Sequence, residues 1–352
     1  MGVLIPLNLL KKEEIRTLLA KVCPQWRGWW RWFLFSILTA MMVSACSSTV
    51  VENSKMLTAK PPSTPCRVVQ HAMGETCIPQ NPQRVVTLGW GILGNALALG
   101  ITPIASVSNA GVLFEEHLRD KADGVEFVGR SVEPNLEKIL LLKPDLIISN
   151  IWLQAIYTQL TNIAPTVVID LPRGSIPFSW EKNLGNVAKI LDKEQEGKQL
   201  INNYWQQIEK LKQALGDRRY QLQISVAQIL SNGIVYYGKT HPHCAVLNDI
   251  GLQRSPAQRG DFYQSGFISH EHLSDIDGDV LFLMIDRIKD SFRGQANEKA
   301  LEKLQKNPLW KELKVVQQKQ VYIVDFGVWN GFDVLAMNAV IDDLFKYLVN
   351  IP

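Results

Sequence analysis

The sequence predicts an α/β fold of two lobes, each a parallel-rich sheet wrapped in helices, with one long α-helix joining them. Three observations carry that expectation. From Arg84 onward, short β-branched runs alternate with amphipathic stretches, as strands buried on both faces alternate with the helices that cover them. The alternation pauses and restarts near Gln221, so there are two sets. Between them Ile201, Tyr204, Trp205, Ile208, Leu211 and Leu215 recur at three- and four-residue spacings in a charged stretch, which draws one apolar stripe along a single helix.

In chain order, RVVTL (84–88) opens the first sheet and ILGNALALG (92–100) forms its first helix. PIASVS (103–108) and EFVG (126–129) follow as strands, NLEKILLL (135–142) as a helix and DLIIS (145–149) as a strand. A helix over about 153–162 leads into the strand TVVID (166–170). After the joining helix, LQISVAQIL (222–230) and IVYYG (234–238) begin the second sheet, and a helix starts near Cys244. DVLFLMID (279–286), a helix near 296–305, VYIVD (321–325) and a closing helix over 334–348 complete it. Binding sites in such sheets form beyond the carboxyl ends of the strands.

The 352 residues, 46% hydrophobic and 20% charged, suffice for one large core or two medium ones. Lys plus Arg number 37 against 34 acids, which leaves no polycationic surface for nucleic acid. The small excess is local. Residues 1–45 hold six bases (Lys11, Lys12, Arg16, Lys21, Arg27, Arg31) and two acids (Glu13, Glu14). An apolar stretch from Trp32 to Ala45 follows, too short to span a bilayer comfortably and of signal-peptide length. It ends in Val43-Ser44-Ala45-Cys46. Small residues before a cysteine resemble a bacterial lipobox, which implies cleavage after Ala45 and lipid on Cys46. The Ser-, Thr-, Pro- and Lys-rich residues after it then form a solvated tether.

Of five cysteines, Cys23 leaves with the signal and Cys46 carries lipid. Outside the cytoplasm, Cys66 and Cys77 bracket a segment that turns at Gly74, the arrangement of a disulfide-closed hairpin. Cys244 is left as a partly buried thiol at a helix start.

The runs HAMGETCIPQNPQRVVTLG, ALALGITPIA, VGRSVEPNLEKILLLKPDLIIS, HLSDIDGDVLFLM and VYIVDFGVWN resemble the substrate-binding lipoproteins of iron-siderophore ABC importers. The likeness extends from about Cys66 to the C-terminus. It implies two Rossmann-like lobes on one connecting helix, the class III periplasmic-binding-protein architecture. Its expected division is a signal peptide (1–45), a lipidated tether (46–65), an N-terminal lobe (66–190), a connecting helix (191–216) and a C-terminal lobe (217–352). It further implies a monomer outside the cytoplasm, anchored by lipid, that catalyses nothing and hands its ligand to an ABC permease.

Within that family the chain looks most like binders of ferric hydroxamate siderophores. Trp90, Trp152, Tyr263, Phe326 and Trp329 fall at loop positions beyond the strands and are expected to face the cleft. Aromatic faces suit an organic chelate whose iron is already coordinated, so no side chain need ligate metal and no cofactor need be resident. Arg130, one position earlier than the arginine of related binders, is the expected cation for the chelate's oxygens, with Arg287 a second candidate. Permease docking is carried over to Glu137 and Glu271 on the resemblance.

Three patterns point elsewhere. Gly233-Ile-Val-Tyr-Tyr-Gly238-Lys239-Thr240 has P-loop spacing, with Asp286 as a mock acidic partner. Ile-Val-Tyr-Tyr form strand, however, and not a phosphate-cradling loop. His241 and His243, with His270, His272, Cys244 or Asp286, supply ligand types for zinc or manganese, which would make this a binder of bare metal ions. Nothing in the sequence brings the two histidine pairs together. Thr240 and Pro242 read as a helix cap and first turn, with His241 and His243 left as contacts to the chelate. Haem or cobalamin on the same fold is the other alternative. Neither a Gly-x-Ser-x-Gly elbow nor a His-Glu-x-x-His helix is present.

Overall fold

The computed structural model describes residues 65–108, 114–171, 179–286 and 292–349. The expected signal peptide (1–45), Cys46 and Arg287 lie outside the described residues. No helix among the described residues is long and apolar enough to cross a membrane.

The chain opens with an antiparallel hairpin, β1 (Cys66–His71) and β2 (Gly74–Pro79). Gly74 begins the return strand at φ 118°, a backbone region that residues with a Cβ seldom occupy. The expected disulfide is present, Cys66 to Cys77, with Cα atoms 5.6 Å apart. The hairpin packs on the first sheet: Val69 and Ile78 enter the core, and the Thr76 hydroxyl donates to the Thr166 carbonyl at 3.1 Å.

That sheet has six strands in the order β6-β5-β4-β3-β7-β8. Its members are β3 (Val85–Leu88), β4 (Ala105–Ser108), β5 (Glu126–Arg130), β6 (Glu133–Pro134), β7 (Leu146–Asn150) and β8 (Thr166–Ile169). All pairings are parallel except β5 with β6. Every residue of β3, β4, β7 and β8 is buried, as expected of parallel strands covered on both faces. From β3 the chain passes to β4 on one side and only later to β7 on the other. The sequence direction of the sheet therefore reverses between β3 and β7, where an open α/β sheet forms its crevice.

Helices α1 (Ile92–Ala98), α2 (Glu116–Arg119), α3 (Leu136–Leu141) and α4 (Tyr157–Thr161) belong to this lobe. The last was expected to start near Leu153. Instead a 3₁₀ segment, Ile151–Ile156, precedes it, held by Asn150, whose side-chain oxygen accepts the Trp152 N–H at 3.0 Å. Helix α5 (Trp180–Leu191) then leads to the long helix α6 (Glu194–Leu215). The apolar stripe on α6 buries Tyr204, Ile208, Leu211 and Leu215, while Trp205 stays partly exposed.

After the short helix α7 (Arg218–Gln221), the second sheet runs β10-β9-β12-β13, with β11 also on β9. Its strands are β9 (Gln223–Leu230), β10 (Gly233–Tyr236), β11 (Gln253–Arg254), β12 (Val280–Ile285) and β13 (Val321–Asp325). The P-loop look-alike is thus a strand, antiparallel to β9. Helix α8 (Pro242–Ile250) follows. Its first residue is Pro242 as expected, but the N-cap position is His241 and not Thr240, and no side chain caps it. Helices α9 (Phe292–Lys306), α10 (Pro308–Glu312) and α11 (Lys314–Gln317) cover β12 and β13. Then α12 (Phe326–Trp329) and α13 (Val334–Leu344) end the lobe, the latter capped by Asp333. One apolar core runs from Val85 and Leu146 through Tyr204 and Ile208 to Phe282 and Met337, so both sheets and α6 share a single buried layer.

Candidate functional site

The two strands that flank the reversal of the first sheet are each followed, two residues past their end, by a tryptophan. Leu88 of β3 lies beside Ser149 of β7, and Trp90 and Trp152 follow two and three residues later. Their rings meet edge to face, centroids 4.2 Å apart at 89°, a favourable quadrupole arrangement. Trp90 donates its indole N–H to Ser131 Oγ at 3.0 Å, which fixes the ring against the loop after β5. Its other neighbour is Phe332, 4.9 Å away, which belongs to the second lobe. Both tryptophans remain half-buried.

The loop Asn330–Asp333 reaches across because small and polar residues of the first lobe receive it. Asn183 donates to the Phe332 carbonyl at 3.0 Å, and Asn95 accepts the Val334 N–H at 3.1 Å. Asp333 caps α13 through Ala336 N at 3.0 Å and lies 3.5 Å from His117 Nε2 on α2. Burial alone would lower the His117 pKa. Asp333, Glu115 and Asp325 outweigh it and hold the imidazole above its ordinary value.

On the second lobe, Tyr263 is half-buried and lies 4.6 Å from the His241 ring. His241 Nε2 sits 2.9 Å from Asn330 Oδ1, in the loop that carries Phe332. Tyr237 packs against the same histidine, centroids 4.2 Å apart and tilted by 60°, and donates its hydroxyl proton to Gln228.

Of the residues singled out in the sequence, Trp90 and Trp152 are brought together. Tyr263 is placed on the second lobe, against His241 and Tyr237. Arg130 is exposed at the end of β5, one residue before Ser131. Phe326 packs one face on the core, and no ring among the described residues stacks on it.

Trp329 is a correction. It is fully buried, 4.6 Å from Phe282, and its indole N–H reaches Asp343 Oδ2 at 2.7 Å. The turn of α12 directs this side chain into the core and not toward the cleft. His241 and His243 are corrections too. They are 1% and 0% exposed, and His243 Nδ1 is 3.1 Å from the Trp329 carbonyl, so both rings lie in the interior and not on the surface of the cleft. Burial chiefly pushes His241 down to about 3 and His243 well below its usual value.

The second histidine pair does not join them: His270 and His272 are exposed, in a 3₁₀ segment (His270–Ile276). Among the described residues no three His, Cys, Asp or Glu side chains gather as a metal site. Glu137, in the first turn of α3, and Glu271, in that 3₁₀ segment, are both exposed.

Phe332, Ser131, Asn330, His117 and Asp333 were missed from sequence. The run Asn330-Gly-Phe-Asp333 before the apolar VLAMNAV carried one usable signal, an Asp at a helix N-cap. That the loop would dock on α1 was not readable, because the contact lies about 240 residues away in the chain.

The description "Periplasmic binding protein" matches residues 85–327. A Bacillus subtilis (strain 168) protein named "Probable siderophore-binding lipoprotein YfiY" is 35% identical over 329 residues, 90% of this chain and 97% of its own. "Fe(3+)-citrate-binding protein YfmC" of the same organism is 30% identical over 298 residues, 84% and 89% of the two chains. Among solved structures, Staphylococcus aureus SirA complexed with staphyloferrin B superposes with a TM-score of 0.68 at 27% identity, covering 80% of this chain and 98% of SirA. The two sheets and the single long helix are thus those of a known architecture, and the chain belongs to the periplasmic binding protein family, whose members bind solutes and are not enzymes.

Proposed function

We propose that the protein captures a ferric siderophore between its lobes and delivers it to an ABC importer permease, held outside the cytoplasmic membrane by lipid on Cys46. The observation that carries this reading is the Trp90–Trp152 pair at the sheet's reversal, closed from the other lobe by Phe332 at 4.9 Å. Half-buried rings at a crevice offer apolar contact to an organic shell and no ligand to bare iron. Arg130, exposed beside this group, supplies the cation for the chelate's oxygens. The relatives' names support iron chelates as the ligand class. A hydroxamate is the proposed type, on the strength of the aromatic lining.

Haem, cobalamin and bare zinc or manganese are outcomes of the same test. Tryptophan fluorescence of residues 47–352 is titrated with ferric hydroxamates, ferric citrate, a ferric catecholate, haem, cobalamin and the free metals. Saturable quenching by a ferric hydroxamate, weakened at least tenfold in Trp90→Ala, is expected. Response to another ferric chelate alone overturns the hydroxamate assignment; response to free metal alone overturns the whole reading. Glu137 and Glu271 are proposed to meet the permease. Exchanging both for Ala is expected to stop uptake by cells and leave chelate affinity intact, and persistent uptake would remove them from docking.

A further inference from the structure

Arg254, at the end of β11, is 4% exposed. Its Nη2 donates to the Tyr237 carbonyl at 2.9 Å and to Gln258 Oε1 at 2.7 Å, both neutral acceptors. Its Nε and Nη1 have no partner. Among the described residues, no carboxylate forms an ion pair with it. Cys244, whose thiol donates to the Gly238 carbonyl at 2.9 Å, is the one group whose negative form would offset the guanidinium, and burial pushes that thiol up, toward neutrality.

The surroundings are positive or neutral. His241 and His243 lie in contact, ring centroids 4.3 Å apart and tilted by 43°, within the field of Arg254. Each keeps one ring nitrogen without a partner, Nδ1 of His241 and Nε2 of His243. Both sit at the start of the nine-residue helix α8, whose N-terminal end carries partial positive charge and has no side-chain cap. Tyr237 and Tyr263 complete the shell with neutral rings. A cation is repelled here, which is why the histidines make no metal site. A buried guanidinium without a counter-charge is among the costliest arrangements in a protein interior, and a planar fork with two open N–H directions matches two oxygens of one anion.

We propose that this cluster is a buried oxyanion site, in which Arg254 Nε and Nη1 hold a carboxylate or a phosphate-like group against His241, His243 and the first turn of α8. A proton accompanies the anion. His243 Nδ1 faces a carbonyl and His241 Nε2 faces an amide oxygen, so both donate there and their free nitrogens are lone pairs. An oxygen can approach those lone pairs only if it carries a proton itself or an imidazole takes one up. The anion comes from solution or from the transported chelate, since Asn330, the partner of His241, belongs to the loop that carries Phe332. The second source rests on the function proposed above.

The test is calorimetric titration of the intact protein with inorganic phosphate between pH 5.5 and 7.5, in buffers of different ionisation heat. Wild-type protein and Arg254→Met are compared, and ferric trishydroxamate and ferric citrate affinities are measured for both. Saturable phosphate binding with proton uptake, tightening at lower pH and lost in Arg254→Met, assigns a free anion. Without it, a tenfold or greater loss of ferric citrate affinity with trishydroxamate affinity unchanged assigns the chelate's carboxylate. Absence of both effects, or equal loss of every chelate, overturns the site. Should Arg254→Met not fold, Arg254→Lys keeps the charge without the fork and is expected to lose the same binding. Trishydroxamate binding by the wild type reports on the transport reading independently.

Discussion

Three tryptophans that look alike in the sequence have different surroundings. Trp90 and Trp152 keep part of their rings in solvent, whereas Trp329 is sealed between Phe282 and His243. Trp329→Ala is expected to destabilise the fold by about 3–5 kcal/mol, seen as a lower urea midpoint; a shift below about 1 kcal/mol would return this ring to the cleft. Acid acts on the two buried histidines beside it. Because their folded pKa values are depressed, only the unfolded chain takes up protons as pH falls below about 6.5. Stability present above that pH is then lost at up to about 1.4 kcal/mol per pH unit for each imidazole. His117 has the opposite sign: its raised value stabilises at low pH and the benefit fades as pH rises through it. Two groups against one leave a net acid loss. Urea midpoints at pH 7.5 and 5.5 are expected to show it, and His241→Asn, which leaves His243 set against His117, to remove more than half of the slope. An unchanged slope in that variant would place the acid sensitivity elsewhere.

At the scale of elements, local pattern was readable and long-range docking was not. Buried parallel strands such as VVTL and VLFLMI declare themselves because both faces must be apolar, and the α6 stripe because its spacing is helical. The 3₁₀ segment Ile151–Ile156 escaped, since its geometry depends on the Asn150 side chain holding Trp152 N. Trp90 and Trp152 were legible as a candidate pair from their place after strands, but Trp329 occupies an equivalent place and turns inward. Which way a four-residue helix rotates is decided by partners such as Asp343 that sequence order does not reveal. The β1–β2 hairpin was legible from Cys66, Gly74 and Cys77. Closing that short loop stabilises by about 3 kcal/mol in the chain-entropy view. Cys66→Ser with Cys77→Ser is therefore expected to lower the thermal midpoint, while chelate titration stays unchanged because the hairpin touches β8 and not the Trp90 group. Loss of binding at a temperature where the variant is folded would tie the hairpin to the site.

For the whole molecule, the spacing of Trp90 and Phe332 depends on how closely α1 approaches the loop of the other lobe. Gly91 and Gly94 allow that approach. A Cβ on Gly91 would lie 2.3 Å from the Phe332 carbonyl oxygen, with φ at +71°, and one on Gly94 would lie 2.3 Å from Asp333 Cγ. Real side-chain carbons do not come so near, so Gly94→Ala must displace Asp333, which both caps α13 and faces His117. Overpacking of this kind destabilises by about 1–3 kcal/mol. Because Phe332 is the residue before Asp333, the same displacement moves its ring from Trp90. Gly185→Ala is the matched control: it is also a helical glycine, has nothing within 4 Å of the added carbon, and is expected to gain up to about 1 kcal/mol. Thermal midpoints and ferric chelate titrations of the two variants separate a general helix effect from one at the lobe contact. Gly94→Ala should be less stable and bind more weakly, and Gly185→Ala should bind as the wild type does. If Gly94→Ala matched its control in both measurements, the close approach of the lobes would not rest on this contact, and the 4.9 Å spacing of Trp90 and Phe332 would not govern chelate binding.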